Sequence, residues 1–389
     1  MAQTPIQNPR AEIDAIDSEI LSLLNKRAEI ALRVGAAKHD ADTSLCDPVR
    51  ENEVIGRLVG ENPGPFDGHS IANIFQRIID ESLHLQQTKF TRPARQTGSG
   101  NLSGLEKTSR VAFLGEQGTF SETAALGILG PGSRYVSYPT FEDLFGAIDA
   151  GEADYIISPL ENSLVGSIHR CYDLLVASEL YMVAEIVLPV SHFLVSCPEA
   201  TIESIRTVES HPAALGQCER FLAAHPYMKG IAADDTAGSV KRAVESGDVT
   251  RAAIGSRRAA KIFGGKLLRE HIEDHAENYT RFALLAARPA ESNDGSKISL
   301  VVRLKNQPGS LHNALRPFVR RNIDLVKIES RPIKGEPTQF NFYLDIQAPA
   351  SESELRGALD EIGTQAESIR YLGRYHTVRV TEEIIDEIS

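Results

Sequence analysis

Two cations occupy the apolar stripe of a long amphipathic segment, where hydrophobic side chains are expected. Between Arg10 and His39 the residues Ile13, Ile16, Ile20, Leu23, Ala31 and Val34 recur at steps of three and four, the period of a helix that buries one face. Arg27 continues that stripe, and Lys38 returns to within about 20° of the same face. An unpaired charge in an apolar setting costs several kcal/mol, so the seam must hold protein carboxylates or an anionic ligand. Asp47, Arg50, Glu51, Ser82 and Gln86 follow on the next two helical segments, with Ser82 and Gln86 at i, i+4. With Arg27 and Lys38 they can line one polar pocket. Arg10 is offset from Arg27 by about 100° in helical phase, so it cannot face the same pocket from that helix, which leaves it available to a second chain's pocket. A salt-bridged helix interface and a pocket for a carboxylate-bearing ligand both satisfy this pattern.

Further along, polar clusters punctuate apolar runs: Glu161-Asn162-Ser163, Ser210-His211-Pro212, Asp234-Asp235-Thr236 and Asn278-Tyr279-Thr280-Arg281-Phe282. His211 beside a polar loop can titrate near neutrality or simply be packed and hydrogen-bonded. His271 and His275 have i, i+4 spacing without the HExxH order, and no metal or cofactor site is expected. Cys46, Cys171, Cys197 and Cys218 are scattered with no CxxC pair, the pattern of reduced, packed thiols.

These residues need several domains to position them, because 389 residues exceed one ordinary core. A net charge of -12 disfavours nucleic acid or an anionic membrane as the main partner. The N-terminal residues show no basic region followed by an apolar one, so a cytoplasmic protein is expected. Residues 8–90 read as helices only: one ending near His39, one opening at Asp47-Pro48 and one from His69-Ser70. The first is longer than so small a piece can cover, which predicts a dimeric bundle. Residues 91–109, rich in Gly, Ser and basic residues, read as a linker.

Residues 110–289 alternate short apolar runs with helical patterns, predicting an α/β fold of two lobes with largely parallel sheets. RVAFLG, DYIISPLEN, YMVAEIVLPVSHFLVS, IRTVESHP, RAAIGS and TRFALLAA are its expected strands. Such folds bind ligands at the carboxyl ends of strands, where the polar clusters fall. Residues 297–380 read as strand, helix, strand, strand, helix, strand, an α+β βαββαβ sandwich without an evident acid, base or nucleophile.

The helical piece resembles the all-helical chorismate mutase family at Arg10, Arg27, Lys38, Asp47, Arg50, Glu51, Ser82 and Gln86. The resemblance implies that Arg27 and a partner chain's Arg10 grip the carboxylates of chorismate, while Lys38 and Gln86 approach its ether oxygen. Glu51 would take the ring hydroxyl, with Asp47, Arg50 and Ser82 supporting the pocket. The chemistry suits these types, because a pericyclic rearrangement to prephenate needs no nucleophile or cofactor, only a held conformer and stabilised charge. Arginine forks fit carboxylates.

The central piece resembles prephenate dehydratase through GEQGTFS at Gly115 to Ser121, PLENSLVGSI at Pro159 to Ile168, ESHPAALGQC ending at Cys218, Asp234 to Thr236, and Thr280-Arg281-Phe282. Glu116 stands where many members carry proline. The resemblance, to a two-lobed fold like that of periplasmic binding proteins, makes Thr280, Arg281 and Phe282 catalytic, with Thr280 the donor to the departing ring hydroxyl. Thr119, Phe120, Ser121, Asn162, Ser163, Ser210, His211, Gln217 and Thr236 would line the site. Arg281 is expected to hold the pyruvyl side-chain carboxylate rather than the one that must leave.

The last piece resembles the ACT regulatory domain at Asn306, Pro308, Gly309, Ser310 and Leu311, and at Glu329, Ser330 and Arg331. Those segments imply an L-phenylalanine effector site in a homo-oligomer, dimer or tetramer. The expectation is therefore a bifunctional enzyme of phenylalanine biosynthesis. Two other readings are weighed: arogenate as the dehydratase substrate, since GSIHRCYDLL and DDTAG look as close to arogenate dehydratases, and a non-catalytic amino-acid sensor. A sensor needs neither Thr280 nor the Arg27 and Lys38 cations.

Overall fold

A computed structural model describes residues 7–40, 45–90, 105, 108–291, 294–349 and 351–380. The expected linker lies mostly outside them. In chain order the first elements are α1 (Gln7–Asp40), α2 (Pro48–Glu61), α3 (Gly68–Phe90), β1 (Arg110–Leu114), α4 (Phe120–Leu129), β2 (Arg134–Tyr138), α5 (Phe141–Asp149), β3 (Tyr155–Asn162), β4 (Gly166–Ser167) and α6 (His169–Ala177). Next come β5 (Tyr181–Pro189), β6 (Phe193–Ser196), β7 (Thr207–Ser210), α7 (Pro212–Gly216), α8 (Glu219–Ala224), β8 (Lys229–Ala232), α9 (Thr236–Glu245), β9 (Arg251–Gly255), α10 (Arg257–Phe263), β10 (Lys266–Arg269) and β11 (Tyr279–Ala286). Then follow β12 (Lys297–Leu304), α11 (Ser310–Arg320), β13 (Leu325–Ile333), β14 (Glu336–Gln347), α12 (Glu352–Gly363), β15 (Ala366–Tyr375) and β16 (Thr377–Arg379).

The chain forms two compact units, Met1–Gln96 with Leu304–Leu325 and Pro349–Ser368, and Thr97–Arg303 with Val326–Ala348 and Ile369–Ser389. The first unit is helical. Asp47 caps α2 by accepting the Arg50 amide at 3.1 Å, and Pro48 opens the helix, as the Asp-Pro pair predicts. Helix α3 packs against α1, α2 and α11. The apolar stripe of α1 is not covered among the described residues: Ile13 and Ile16 are 55% exposed and Leu23 is 61% exposed.

The second unit holds three sheets. The first has the order β16-β5-β11-β3-β1-β2, with β4 beside β3, and the second the order β10-β6-β9-β7-β8. Both are mixed rather than largely parallel, because β11 runs antiparallel to β3 and β5, and β6 runs antiparallel to β9 and β10. The reversal follows from the chain's path: it leaves the first sheet after β5 and re-enters it through β11. The run YMVAEIVLPVSHFLVS, expected as one strand, is cut at Pro189 into β5 and β6 in different sheets. Proline has no N–H to continue a ladder. The two crossing segments lie side by side, with Val190 N donating to Asn278 O at 2.8 Å and Ile272 N to His192 O at 3.0 Å.

The third sheet has the order β13-β14-β12-β15. The last expected strand divides as well, because β16 leaves that sheet and pairs parallel with β5, from Thr377 opposite Glu185 to Arg379 opposite Val187. Gly373 permits this close approach: at its φ of +149° a Cβ would lie 2.1 Å from the Met182 carbonyl oxygen. No helix among the described residues is long and apolar enough to cross a membrane. All four cysteines are free and buried.

A buried charge cluster joins the first and third sheets. Glu185, fully buried on β5, pairs with Arg281 Nε at 2.7 Å and Lys297 Nζ at 2.5 Å. Arg281 Nη2 in turn meets Asp345 at 2.6 Å, and Asp345 accepts a hydrogen bond from Ser299 at 2.5 Å. Two cations and two anions cancel. Burial alone would loosen the Arg281 proton, but the charges of Glu185 and Asp345 outweigh it and raise its pKa above the ordinary value. Removing one partner of such a pair costs about 3–5 kcal/mol, because the other charge is left uncompensated. Asp345→Ala is therefore expected to lower unfolding free energy by about that amount in urea titrations; a loss under about 1 kcal/mol would contradict the cluster's importance.

Candidate active sites

Thr280 lies at the start of β11, beside the two crossing segments, with its neighbours held in a directional hydrogen-bond chain. Asn162, the last residue of β3, is oriented by its backbone surroundings: its Oδ1 accepts the amides of Leu164 and Val165, both at 3.0 Å. Its Nδ2 must then point the other way, where it donates to Thr280 Oγ1 at 3.0 Å and to Asn278 Oδ1 at 2.7 Å. A hydroxyl that accepts from Asn162 keeps its own hydrogen for another acceptor, the condition a donor to a leaving hydroxyl must meet. Gln217, at the end of α7, donates to Asn162 Oδ1 at 3.3 Å, and its Oε1 accepts from Asn278 Nδ2 at 3.0 Å. The chain thus draws on both sheets' connections.

Strand alternation sends the next residue the other way. Glu161 and Arg281, adjacent to Asn162 and Thr280, meet each other at 3.7 Å, and Arg281 is consumed by Glu185 and Asp345. The expected carboxylate clamp at Arg281 is therefore corrected: its guanidinium is a buried structural cation turned from Thr280. Phe282, expected to be catalytic, is a core side chain in the cluster that contains Ile157, Ile186 and Leu188. Ser210 is likewise internal, donating to the Ile254 carbonyl at 2.7 Å. Ser163 ties the loop, accepting the Tyr279 amide at 2.9 Å.

Two expected lining residues are helix caps. Thr119 accepts the Glu122 amide at the start of α4, and His211 Nδ1 accepts the Ala213 amide at the start of α7. Thr236 is the first residue of α9, where Asp235 is the cap. Ser121 is buried in α4, and Phe120 sets its ring edge-to-face with His192, centroids 6.1 Å apart. Asn278 and His192 also lie beside this group, and neither is among the residues expected to line the site. The signals were Asn278 in the same polar run as Thr280, and an ionisable residue interrupting the apolar run around Pro189.

In the helical unit, Arg27 donates to Ser82 Oγ at 2.5 Å, and Gln86 donates to the Ala31 carbonyl at 2.5 Å. Partial burial lowers the Arg27 pKa. Lys38 donates to the Leu45 carbonyl at 3.1 Å and stands 3.9 Å from Asp47. Arg50 pairs with Glu53 at 3.1 Å on the exposed side of α2. Glu51 pairs with the buried Arg320 of α11, so in this chain its carboxylate is engaged there. Arg10 is exposed on α1.

The two expected effector segments fall in different units. Gly309 caps α11 with φ +83°, the left-handed conformation suited to glycine, and precedes Ser310 and Leu311; Asn306 and Pro308 lie in the same turn. On β13, Glu329 accepts from Ser167 at 2.7 Å and Arg331 pairs with Asp173 at 3.2 Å, flanking Ser330. Lys327 pairs with Glu161.

Residues 111–290 match the family model for prephenate dehydratase, and residues 9–87 that for chorismate mutase type II. A bifunctional chorismate mutase/prephenate dehydratase of Neisseria gonorrhoeae is 33% identical, the match covering 95% of this chain and 96% of the relative. A prephenate dehydratase from Arthrobacter aurescens, solved in complex with L-Phe, is 29% identical with a TM-score of 0.63, over 69% of this chain and 90% of that one. GqqA, described as a novel type of quorum quenching acylase, matches with the same identity and TM-score over 69% of this chain and 98% of its own. With both family models in order along one chain, and a full-length relative above 30% identity, the chain belongs to the bifunctional chorismate mutase/prephenate dehydratase family.

Proposed function

We propose that Thr280 is the hydrogen-bond donor of the dehydratase reaction. As prephenate loses its ring carboxylate as carbon dioxide, the electron pair of that bond enters the ring. The carbon–oxygen bond to the ring hydroxyl breaks, and the oxygen leaves as hydroxide that solvent protonates to water. Aromatisation supplies the driving force, and the protein's task is to stabilise charge on the departing oxygen. An alcohol is a poor acid, so Thr280 acts by hydrogen bonding rather than by full proton transfer. The observation that carries this reading is the Asn162 Nδ2 to Thr280 Oγ1 bond, which leaves the Thr280 hydrogen free for the substrate. Asn278 and Gln217 hold Asn162 in that attitude.

In the mutase, Arg27 and a partner's Arg10 bind the carboxylates of chorismate, Lys38 and Gln86 approach the ether oxygen, and Glu51, Asp47, Arg50 and Ser82 complete the pocket. The Arg27–Ser82 bond and the Lys38–Asp47 proximity support part of this set. The exposed stripe of α1 supports a dimeric bundle that buries it. Residues 297–380 act as an ACT domain, with L-phenylalanine the effector at Asn306 to Leu311 and Glu329 to Arg331. The relative solved with L-Phe supports that assignment. The protein works in the cytoplasm as an even-numbered homo-oligomer.

Thr280→Ala is expected to lower dehydratase kcat by about a hundredfold or more while chorismate turnover is unchanged; retention of most dehydratase activity would remove Thr280 from the role. Lys38→Ala should cut mutase turnover by a similar factor with the helical circular dichroism signal intact. Unchanged mutase turnover would remove Lys38 from that role. L-Phenylalanine should reduce dehydratase rate and raise the melting temperature, whereas no effect on either would leave the C-terminal piece a purely structural element.

A further inference from the structure

The hydrogen-bond chain that reaches Thr280 does not begin at Gln217. His192, on the segment crossing from β5 to β6, places Nε2 2.7 Å from Gln217 Oε1. Its backbone is held on the neighbouring crossing segment, with His192 N donating to Glu273 at 2.8 Å and His192 O accepting the Ile272 amide at 3.0 Å. The ring is 2% exposed and packs against Phe120.

The direction of every bond follows from the fixed end. The Leu164 and Val165 amides set Asn162 Oδ1, so Gln217 must present its NH2 to that oxygen. The Gln217 carbonyl oxygen is thereby turned to Asn278 Nδ2 and His192 Nε2. A carbonyl oxygen only accepts, so Nε2 of His192 carries a hydrogen. Nδ1 is buried with no hydrogen-bond partner among the described residues. That is tolerable for a bare lone pair and costly for an N–H. Burial correspondingly lowers the pKa of the ring, against the opposing pull of the Gln217 bond and the Glu273 charge.

We infer that His192 is a positioning residue for the dehydratase reaction: as a neutral Nε2–H donor it holds Gln217 with its NH2 toward Asn162 Oδ1, where it braces the Asn162 side chain that donates to Thr280. Without that donor the Gln217 oxygen loses one of its two partners. The amide can then turn, setting oxygen against oxygen at Asn162 and releasing the constraint on Thr280. The inference rests on Thr280 being the donor. Its failure is separable, because Thr280→Ala tests that role directly and the His192 variants test only the lock.

The test is a set of variants of the full chain, assayed with prephenate and followed by thermal melting. In His192→Gln an amide nitrogen stands near the place of Nε2. In His192→Asn it is one methylene short, and His192→Leu has no donor. His192→Leu and His192→Asn are expected to lose about tenfold or more in kcat, with KM within about twofold, and His192→Gln to stay within about threefold of the parent. Equal kcat in the leucine variant would overturn the proposal, and so would a glutamine variant that melts like the parent yet falls as far as leucine. Should the leucine variant not fold, the comparison of glutamine with asparagine decides on the same criteria.

Discussion

Four charges that cancel one another, Lys297 half-buried and the other three buried, fix the strand on which Thr280 stands. Glu185, Arg281, Asp345 and Lys297 lie on β5, β11, β14 and β12, so the cluster ties two strands of the first sheet to two of the third. Because successive residues on a strand face opposite ways, Arg281 can be gripped from one side only if Thr280 looks to the other. The family match ends at residue 290, yet two of the four charges come from residues 297 and 345. The strand that carries Thr280 is therefore pinned partly by chain that the match does not include.

Much of this architecture is legible in the sequence because it depends on local rules. The Asp47-Pro48 start of α2, the long α1 and the strands of RVAFLG and DYIISPLEN all come from periodicity and caps, which short windows contain. The strand break at Pro189 was equally local but was masked by the apolar residues on either side of it. The antiparallel placement of β11 and the migration of β16 to another sheet depend on where the chain returns in space, and no window of sequence carries that.

For the sites the boundary falls differently. Residue types and spacing point to Thr280, Asn162 and Gln217, which the structure joins through one hydrogen-bond chain. The same reading enlisted Arg281, Phe282 and Ser210, which share those segments but point into an ion cluster, a hydrophobic core and a sheet bond. A motif shows which stretch matters; it does not separate residues that face the reaction from those that hold the stretch in place. His192 is the converse case, a polar residue hidden in an apolar run, whose meaning appears only when Gln217 is beside it.

The docking of β16 also bears on how the molecule is made. Its three residues, Thr377–Arg379, cover the outer edge of β5 and follow every other described strand in the chain. During synthesis that edge has unpaired backbone groups until the last strand emerges, and open strand edges invite pairing with other chains. Among the described strands β16 comes last, so the outer edge of β5 stays open until residues 377–379 dock, and a premature stop before residue 377 would leave a sticky edge rather than a smaller copy of the same sheet.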